Sequence, residues 1–134
     1  MLGLFKPKKK TANITILVID DEPDLLSTVA ARLKWNKFNV LTALNGTEGL
    51  DIAASEKPDL ILLDNNMPKM TGLEMLAILR ENPDLKTIPV IMVTAVCEPK
   101  DITTAKSLGV VDYITKPFNF ANLTEKIFQA IDKK

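Results

Sequence analysis

The 134-residue sequence contains no histidine. That removes the commonest general base and the commonest zinc ligand. Its single cysteine, Cys97, excludes a disulfide framework and a cysteine-built metal site, and a lone thiol fits a reducing compartment. No apolar run approaches the roughly 20 residues that a membrane-spanning helix needs. Met1-Leu2-Gly3-Leu4-Phe5 is too short for a signal-peptide core, and its lysines follow rather than precede it. Seventeen basic and seventeen acidic residues cancel, so no global field favours a polyanionic partner. The expectation is a cytoplasmic protein without a membrane span, long enough for one domain with a substantial core.

What is present is a regular alternation. Lys6, Lys8, Lys9 and Lys10 make the start basic, and residues 1–12 read as a flexible basic tail ahead of a domain at 13–134. Strands are expected near 14–19, 38–43, 59–64, 88–94 and 111–115, and helices near 23–35, 46–56, 71–81, 99–108 and 119–132. Leu25, Leu26, Val29, Ala30 and Leu33 fall on one face of the first helix, and Phe120, Leu123, Ile127, Ala130 and Ile131 on one face of the last. Pro23 suits a first helical turn with Asp21 or Glu22 as its cap; Thr71 can cap the third helix and Gly109 can close the fourth. Strict alternation implies parallel strands joined by right-handed crossovers, with helices on both faces. Ligands of such open sheets bind beyond the carboxyl ends of the strands.

Those ends carry the polar residues. Ile14–Ile19 runs into Asp20 and Asp21, Leu60–Leu63 into Asp64, Val90–Val93 into Thr94, and Val110–Thr115 into Lys116. Taken singly each has an ordinary structural reading: Asp20 and Asp21 as helix caps, Asp64 as a turn residue, Thr94 as a strand threonine, Lys116 as a solvated turn residue. Those readings do not explain why all of them end strands at one edge. Converging carboxylates repel unless some are protonated or a cation holds them. Oxygen donors without His or Cys favour Mg²⁺, which often shares its shell with phosphate. Lys116 offers a compact charge for phosphate, Thr94 a donor, and Asp64 a nucleophile able to form an acyl phosphate.

Together these residues resemble the receiver domain of bacterial two-component response regulators, of the single-domain type. The resemblance covers about Ile14 to Ile131. It rests on Val18-Ile19-Asp20-Asp21-Glu22-Pro23, on Leu63-Asp64-Asn65-Asn66-Met67-Pro68 with Gly72, on Val93-Thr94-Ala95, and on Tyr113-Ile114-Thr115-Lys116-Pro117-Phe118. It implies an α/β, flavodoxin-like doubly wound sheet of five parallel strands in order 2-1-3-4-5, with five helices. It implies that Asp64 accepts a phosphoryl group from a phosphohistidine on a sensor histidine kinase or a histidine phosphotransfer protein. Mg²⁺, with Mn²⁺ as an alternative, would be held by Asp20, Asp21, Asp64 and the backbone carbonyl of Asn66. Lys116 would contact the phosphoryl group, and its bond to Pro117 would be cis. Thr94 and Tyr113 would act as switch residues, Tyr113 rotating inward, and would remodel the surface of the fourth helix, fifth strand and fifth helix for a downstream protein target or a phosphorelay. Such a protein catalyses only its own phosphorylation and slow dephosphorylation, and no direct DNA binding is expected of it.

The sequence departs from the family pattern in places. Asn65 stands where an apolar or aromatic residue is usual, Thr71 where an acid commonly precedes Gly72, and Val110 where alanine is frequent. Val96, two positions after Thr94, cannot orient an attacking water, so self-dephosphorylation is expected to be slow. One rival is a phosphorylation-independent binding module on the same fold. Another is a haloacid-dehalogenase-type phosphatase, which would want a second Asp where Asn66 stands. A flavin carrier is a third, ill served by Gly-poor, acidic strand ends. Trp35 is expected to pack at the end of the first helix, away from the site; Cys97 to be an inert small hydrophobe; Phe128 to lie at the flank of its helix stripe.

Overall fold

The computed structural model of the chain describes residues 11–95 and 98–132. The lysines of the expected tail, Val96 and Cys97 lie outside the described residues. A single 3-10 turn, Thr11–Asn13, opens the described chain. The Asn39 side-chain amide donates to the Ala12 carbonyl at 2.8 Å. Thr11 and Ala12, assigned to the tail from the sequence, thus form part of this turn.

Five strands follow, β1 (Thr15–Ile19), β2 (Asn39–Ala43), β3 (Leu60–Leu63), β4 (Val90–Thr94) and β5 (Asp112–Thr115). All pair in parallel, in the order β2-β1-β3-β4-β5. The helices are α1 (Pro23–Trp35), α2 (Gly46–Glu56), α3 (Gly72–Glu81), α4 (Pro99–Ser107) and α5 (Phe120–Asp132). Every residue of β3 and β4 is buried, as the unbroken apolar runs require of strands covered on both faces. Alternate side chains feed two cores. Ile16, Val18, Leu62, Ile91 and Val93 pack with Leu26, Val29 and Leu33 of α1 and Leu123 and Ile127 of α5. Leu17, Ile19, Ile61, Leu63 and Met92 pack with Ala53, Met75, Leu76, Leu79 and Ala105 on the other face.

Local chemistry sets the helix ends. Thr71 caps α3 in a capping box with Glu74, its hydroxyl accepting from the Glu74 N–H at 3.1 Å and the Glu74 carboxylate accepting from the Thr71 N–H at 2.8 Å. Gly109, at φ +75°, ends α4 in the left-handed conformation that glycine adopts freely. Lys57, at φ 45°, ends α2 the same way. Glu22 stands at the N-cap of α1 but makes no side-chain cap bond; instead the Asp20 carboxylate accepts from the Glu22 N–H at 2.9 Å.

Trp35 does not pack. It is 77% exposed, because the α1 stripe of Leu26, Val29, Ala30 and Leu33 leaves position 35 about 200° away from Leu33 around the helix. Phe128 is half-buried, its ring 5.6 Å from that of Phe38.

Candidate functional site

Strand register builds the site. Ile19 pairs with Leu63, so Asp20 and Asp64 leave the sheet side by side. Leu63 pairs with Met92, and Thr94 with Thr115, which puts Thr94 and Lys116 at the same edge; the Lys116 N–H donates to the Thr94 carbonyl at 3.0 Å. Oxygens of Asp20, Asp21 and Asp64 lie within 4.8 Å of one another. Lys116 Nζ donates to Asp20 Oδ2 at 2.7 Å and to Glu22 Oε1 at 3.1 Å, and lies 3.7 Å from Asp64 Oδ2. The Lys116–Pro117 peptide bond is cis.

These charges are withdrawn from water. Asp64 is 3% exposed and the Lys116 side chain 11%. Burial pushes the Asp64 carboxyl above its ordinary pKa; Lys116 opposes that shift, Asp20 adds to it, and hydrogen bonds from the Asn66 N–H and the Thr94 hydroxyl oppose it. Burial works against the Lys116 ammonium, but its hydrogen bonds to Asp20 and Glu22 and the charge of Asp64 outweigh it, so its pKa is raised. Three carboxylates share one cationic side chain here, and a set of hard oxygen donors with no nitrogen or sulfur ligand fits Mg²⁺ or Mn²⁺.

The loop after β3 is locked to α3 through Asn65. Its carbonyl accepts from Gly72 N–H at 3.1 Å and Met67 N–H at 3.0 Å, and its side-chain oxygen accepts from Leu73 N–H at 3.0 Å. Asn65 is thus a buried polar residue with work for its amide, where an apolar side chain could not serve the Leu73 N–H. Gly72 permits the close approach: a Cβ there would clash with the Asp64 carbonyl oxygen and meet Asn65 Cα at 2.8 Å. Asn66 faces the site as well. Its side-chain amide donates to the Thr94 hydroxyl at 2.9 Å, while its N–H points to Asp64 Oδ1 at 3.3 Å.

All the site residues expected at the strand ends gather at this edge. Tyr113 lies two positions before Thr115 on β5, opposite Met92, and is partly buried against the core face that holds Met75 and Ala105, with its hydroxyl buried. Sequence reasoning missed two contacts, Glu22 as the second acid on Lys116 and the Asn66 side chain on Thr94. Adjoining the site is an open cleft of about 410 Å³ between α1 and the β5–α5 loop, lined by Leu25, Thr28, Phe118 and Phe120 beside Glu22 and Lys116.

An open parallel sheet with this acid–lysine cluster at its carboxyl edge defines a class of signalling domain, and the comparisons give its family. The family profile for the response regulator receiver domain matches residues 16–128, and the chain belongs to that family. It is 40% identical over 107 residues to the alkaline phosphatase synthesis transcriptional regulatory protein PhoP of Bacillus subtilis, covering 80% of this chain and 44% of that one. It is 36% identical over 115 residues to the probable transcriptional regulatory protein TcrX of Mycobacterium tuberculosis, covering 85% and 48%. The chain therefore spans about half the length of these curated relatives. Among solved structures, it resembles the chemotaxis protein CheY4 of Vibrio cholerae at TM-score 0.83 and 30% identity, covering 87% of this chain and 98% of that one. It also resembles a CheY-like receiver domain of Methanospirillum hungatei at TM-score 0.86 and 29% identity, covering 90% and 94%. None of the described helices is long and apolar enough to cross a membrane.

Proposed function

We propose that Asp64 is the phosphoacceptor of this domain. A phosphoryl group on an imidazole nitrogen of a partner histidine kinase or phosphotransfer protein is attacked by an Asp64 carboxylate oxygen. The new P–O bond forms as the P–N bond breaks, and the electron pair returns to the partner's ring. The observation that carries this reading is the convergence of Asp20, Asp21 and Asp64, with oxygens within 4.8 Å of one another, beside a lysine whose side chain is 11% exposed.

Asp20, Asp21, Asp64 and the Asn66 carbonyl would hold a divalent cation. When bound, that ion supplies positive charge against the carboxylates and the phosphoryl oxygens. Lys116 already bridges Asp20 and Asp64 and can transfer its donors to a phosphoryl oxygen. Glu22 gives the ammonium a second anchor at 3.1 Å, so it keeps a partner when its contacts rearrange. Thr94 bonds to Asp64 through its hydroxyl and would carry that bond over to the phosphoryl group, drawing on the Asn66 contact as it moves. The cleft beside Lys116, apolar along Leu25 and Phe118, suits the docking of a partner helix that presents its histidine to Asp64.

Phosphorylation would then shift a population of states through contacts that exist in only one of them. The helix suited to respond is α4, in which Ala105 is the buried residue among those described. The output would be altered protein contact at the α4–β5–α5 surface, or relay of the phosphoryl group, in the cytoplasm.

The test is intact-protein mass after incubation with acetyl phosphate, with and without Mg²⁺, on wild type and Asp64→Asn. A Mg²⁺-dependent gain of one phosphoryl group, absent in the variant, is expected. A gain that persists in the variant moves the acceptor elsewhere. No gain from acetyl phosphate or from a phosphorylated histidine donor leaves a binding module that works without phosphorylation.

A further inference from the structure

We propose that Glu22 is the residue that selects the phosphoryl donor: its carboxylate receives the free ring N–H of a phosphorylated imidazole and turns away donors that carry the phosphoryl group on an anion. This deepens the phosphoacceptor reading of Asp64 and rests on it.

Glu22 differs from the buried acids of the cluster in where it stands. The Asp20 and Asp64 side chains are 7% and 3% exposed, and that of Glu22 is 63% exposed. It lines the cleft beside the site with Leu25, Thr28, Phe118 and Phe120. Its main chain is held on both sides. The N–H donates to Asp20 Oδ1 at 2.9 Å, and the carbonyl accepts from the Leu26 N–H at 3.0 Å. The side chain is held through Oε1, which accepts from Lys116 Nζ at 3.1 Å. Among the described residues nothing engages Oε2. Helix capping does not account for this carboxylate, because it makes no cap bond on α1. Anchoring Lys116 does not exhaust it either: Asp20 already accepts from that ammonium at 2.7 Å, and Oε2 is left over.

Reach and charge both favour a donor ring. Lys116 Nζ lies 3.1 Å from Glu22 Oε1 and 3.7 Å from Asp64 Oδ2, so these two oxygens are at most about 7 Å apart. In-line transfer puts the donor nitrogen on the far side of phosphorus from Asp64, with the reacting atoms about 3–3.5 Å apart. The leaving ring then comes out at the cleft mouth, where its second nitrogen meets the rim carboxylate. Asp20, Asp21 and Asp64 carry three negative charges, which Lys116 and a divalent cation balance. Glu22 is a fourth acid and leaves the loaded site with one negative charge in excess. That excess repels acetyl phosphate, whose leaving group is itself a carboxylate and offers no N–H. It favours a phosphoimidazolium, whose ring N–H donates to Oε2. Specificity then combines attraction to one donor with repulsion of the other. As the P–O bond to Asp64 forms and the P–N bond breaks, the electron pair stays on the ring nitrogen. The second nitrogen keeps its proton against Glu22, and a neutral imidazole leaves. Over about 7 Å, discounted for solvent at an exposed carboxylate, one unit of charge is worth about fivefold.

The full chain, at saturating Mg²⁺, is given monophosphoimidazole or acetyl phosphate, and phosphoryl gain is followed by intact-protein mass. Neither donor carries a protein surface, so only the site reads them. Glu22→Gln keeps the size of the side chain and an acceptor for Lys116. It should react about fivefold faster with acetyl phosphate and about fivefold slower with monophosphoimidazole. Glu22→Asp should keep the wild-type order of the two donors. Affinity for beryllofluoride, an anionic stand-in for the phosphoryl group, is read from amide NMR shifts. It should tighten about fivefold in Glu22→Gln, with an unchanged circular dichroism spectrum. Rates that fall equally for both donors would make Glu22 an anchor for Lys116 alone and overturn the proposal. An unchanged donor ratio or an unchanged beryllofluoride affinity overturns it as well. Asp64→Asn should gain no mass from either donor. If wild type gains none, the phosphoacceptor reading fails and this proposal with it; if wild type gains mass and Glu22→Gln keeps its donor ratio, this proposal alone falls.

Discussion

Asparagine in place of Asp64 should make the metal-free domain more stable. With carboxylate oxygens within 4.8 Å, two like charges at an effective dielectric constant of about 20 repel by roughly 3–4 kcal/mol. Lys116, 3.7 Å from Asp64, attracts by roughly 4–5 kcal/mol on the same basis. Repulsion from Asp20 and attraction to Lys116 nearly cancel, and Asp21, more exposed, adds a screened remainder. What stays unbalanced is the withdrawal from water of a carboxylate that is 3% exposed, a cost of several kcal/mol only partly returned by the Asn66 N–H and the Thr94 hydroxyl. An amide keeps shape and hydrogen bonds without that cost, so the gain is about 2 kcal/mol, or about 8 °C in Tm. The sign with pH follows from the raised Asp64 pKa. The destabilisation is complete above the folded-state pKa and disappears as pH falls below the unfolded value of about 3.9, so the gap between variant and wild type closes on acidification. Mg²⁺ works the other way: at about a hundredfold over its Kd it stabilises wild type by about 2.7 kcal/mol and the variant by much less. Urea unfolding in EDTA and in millimolar Mg²⁺ tests both halves. A variant less stable than wild type in EDTA, or equally stabilised by Mg²⁺, would refute the reasoning.

Other perturbations separate the site from its scaffold. Gly72→Ala drives a methyl group against the Asp64 carbonyl and the Asn65 Cα; it should cost about 2–3 kcal/mol and weaken Mg²⁺ binding, both readable by urea unfolding with and without the ion. Arg80→Met removes a guanidinium that donates to the carbonyls of Lys86, Ile88, Leu108 and Gly109 at 2.7–3.4 Å. About 2–3 kcal/mol should be lost, with faster amide exchange around Leu108–Val110 and unchanged Mg²⁺ affinity. Thr71→Ala breaks the capping box and should cost about 1 kcal/mol in thermal unfolding, while Thr71→Ser should restore most of it.

The features legible in the sequence are those whose cause is local or periodic. α1 and α2 run over the expected residues because an N-terminal proline and an Asn-Gly start are local signals, and the buried strands announce themselves as apolar runs. Alternation implies that Asp20 and Asp64 share the carboxyl edge of a parallel sheet, whereas the neighbouring of their strands, seen in the β1–β3 register, was implied by the family resemblance. The misses are contacts between distant parts of the chain, or backbone states without a residue signature. Glu22 reads as a helix cap, yet Lys116, 94 residues on, takes its carboxylate. Arg80 carries no sequence signal, because its partners are main-chain carbonyls that no sequence marks. Lys37, Lys57 and Lys69 adopt positive φ, a conformation that lysine does not advertise.

Asn65 and Trp35 show how a departure from pattern is to be weighed. At position 65 an apolar residue would be expected to pack, but the β3–α3 loop leaves a helix N–H, that of Leu73, facing it. A buried donor without an acceptor costs about 1–3 kcal/mol, so the amide at this position stabilises the loop that carries Asn66 toward the site. At position 35 the same logic runs in reverse. A large aromatic was expected to be buried because burying it is favourable, but the α1 stripe points elsewhere, and nothing among the described residues covers the ring.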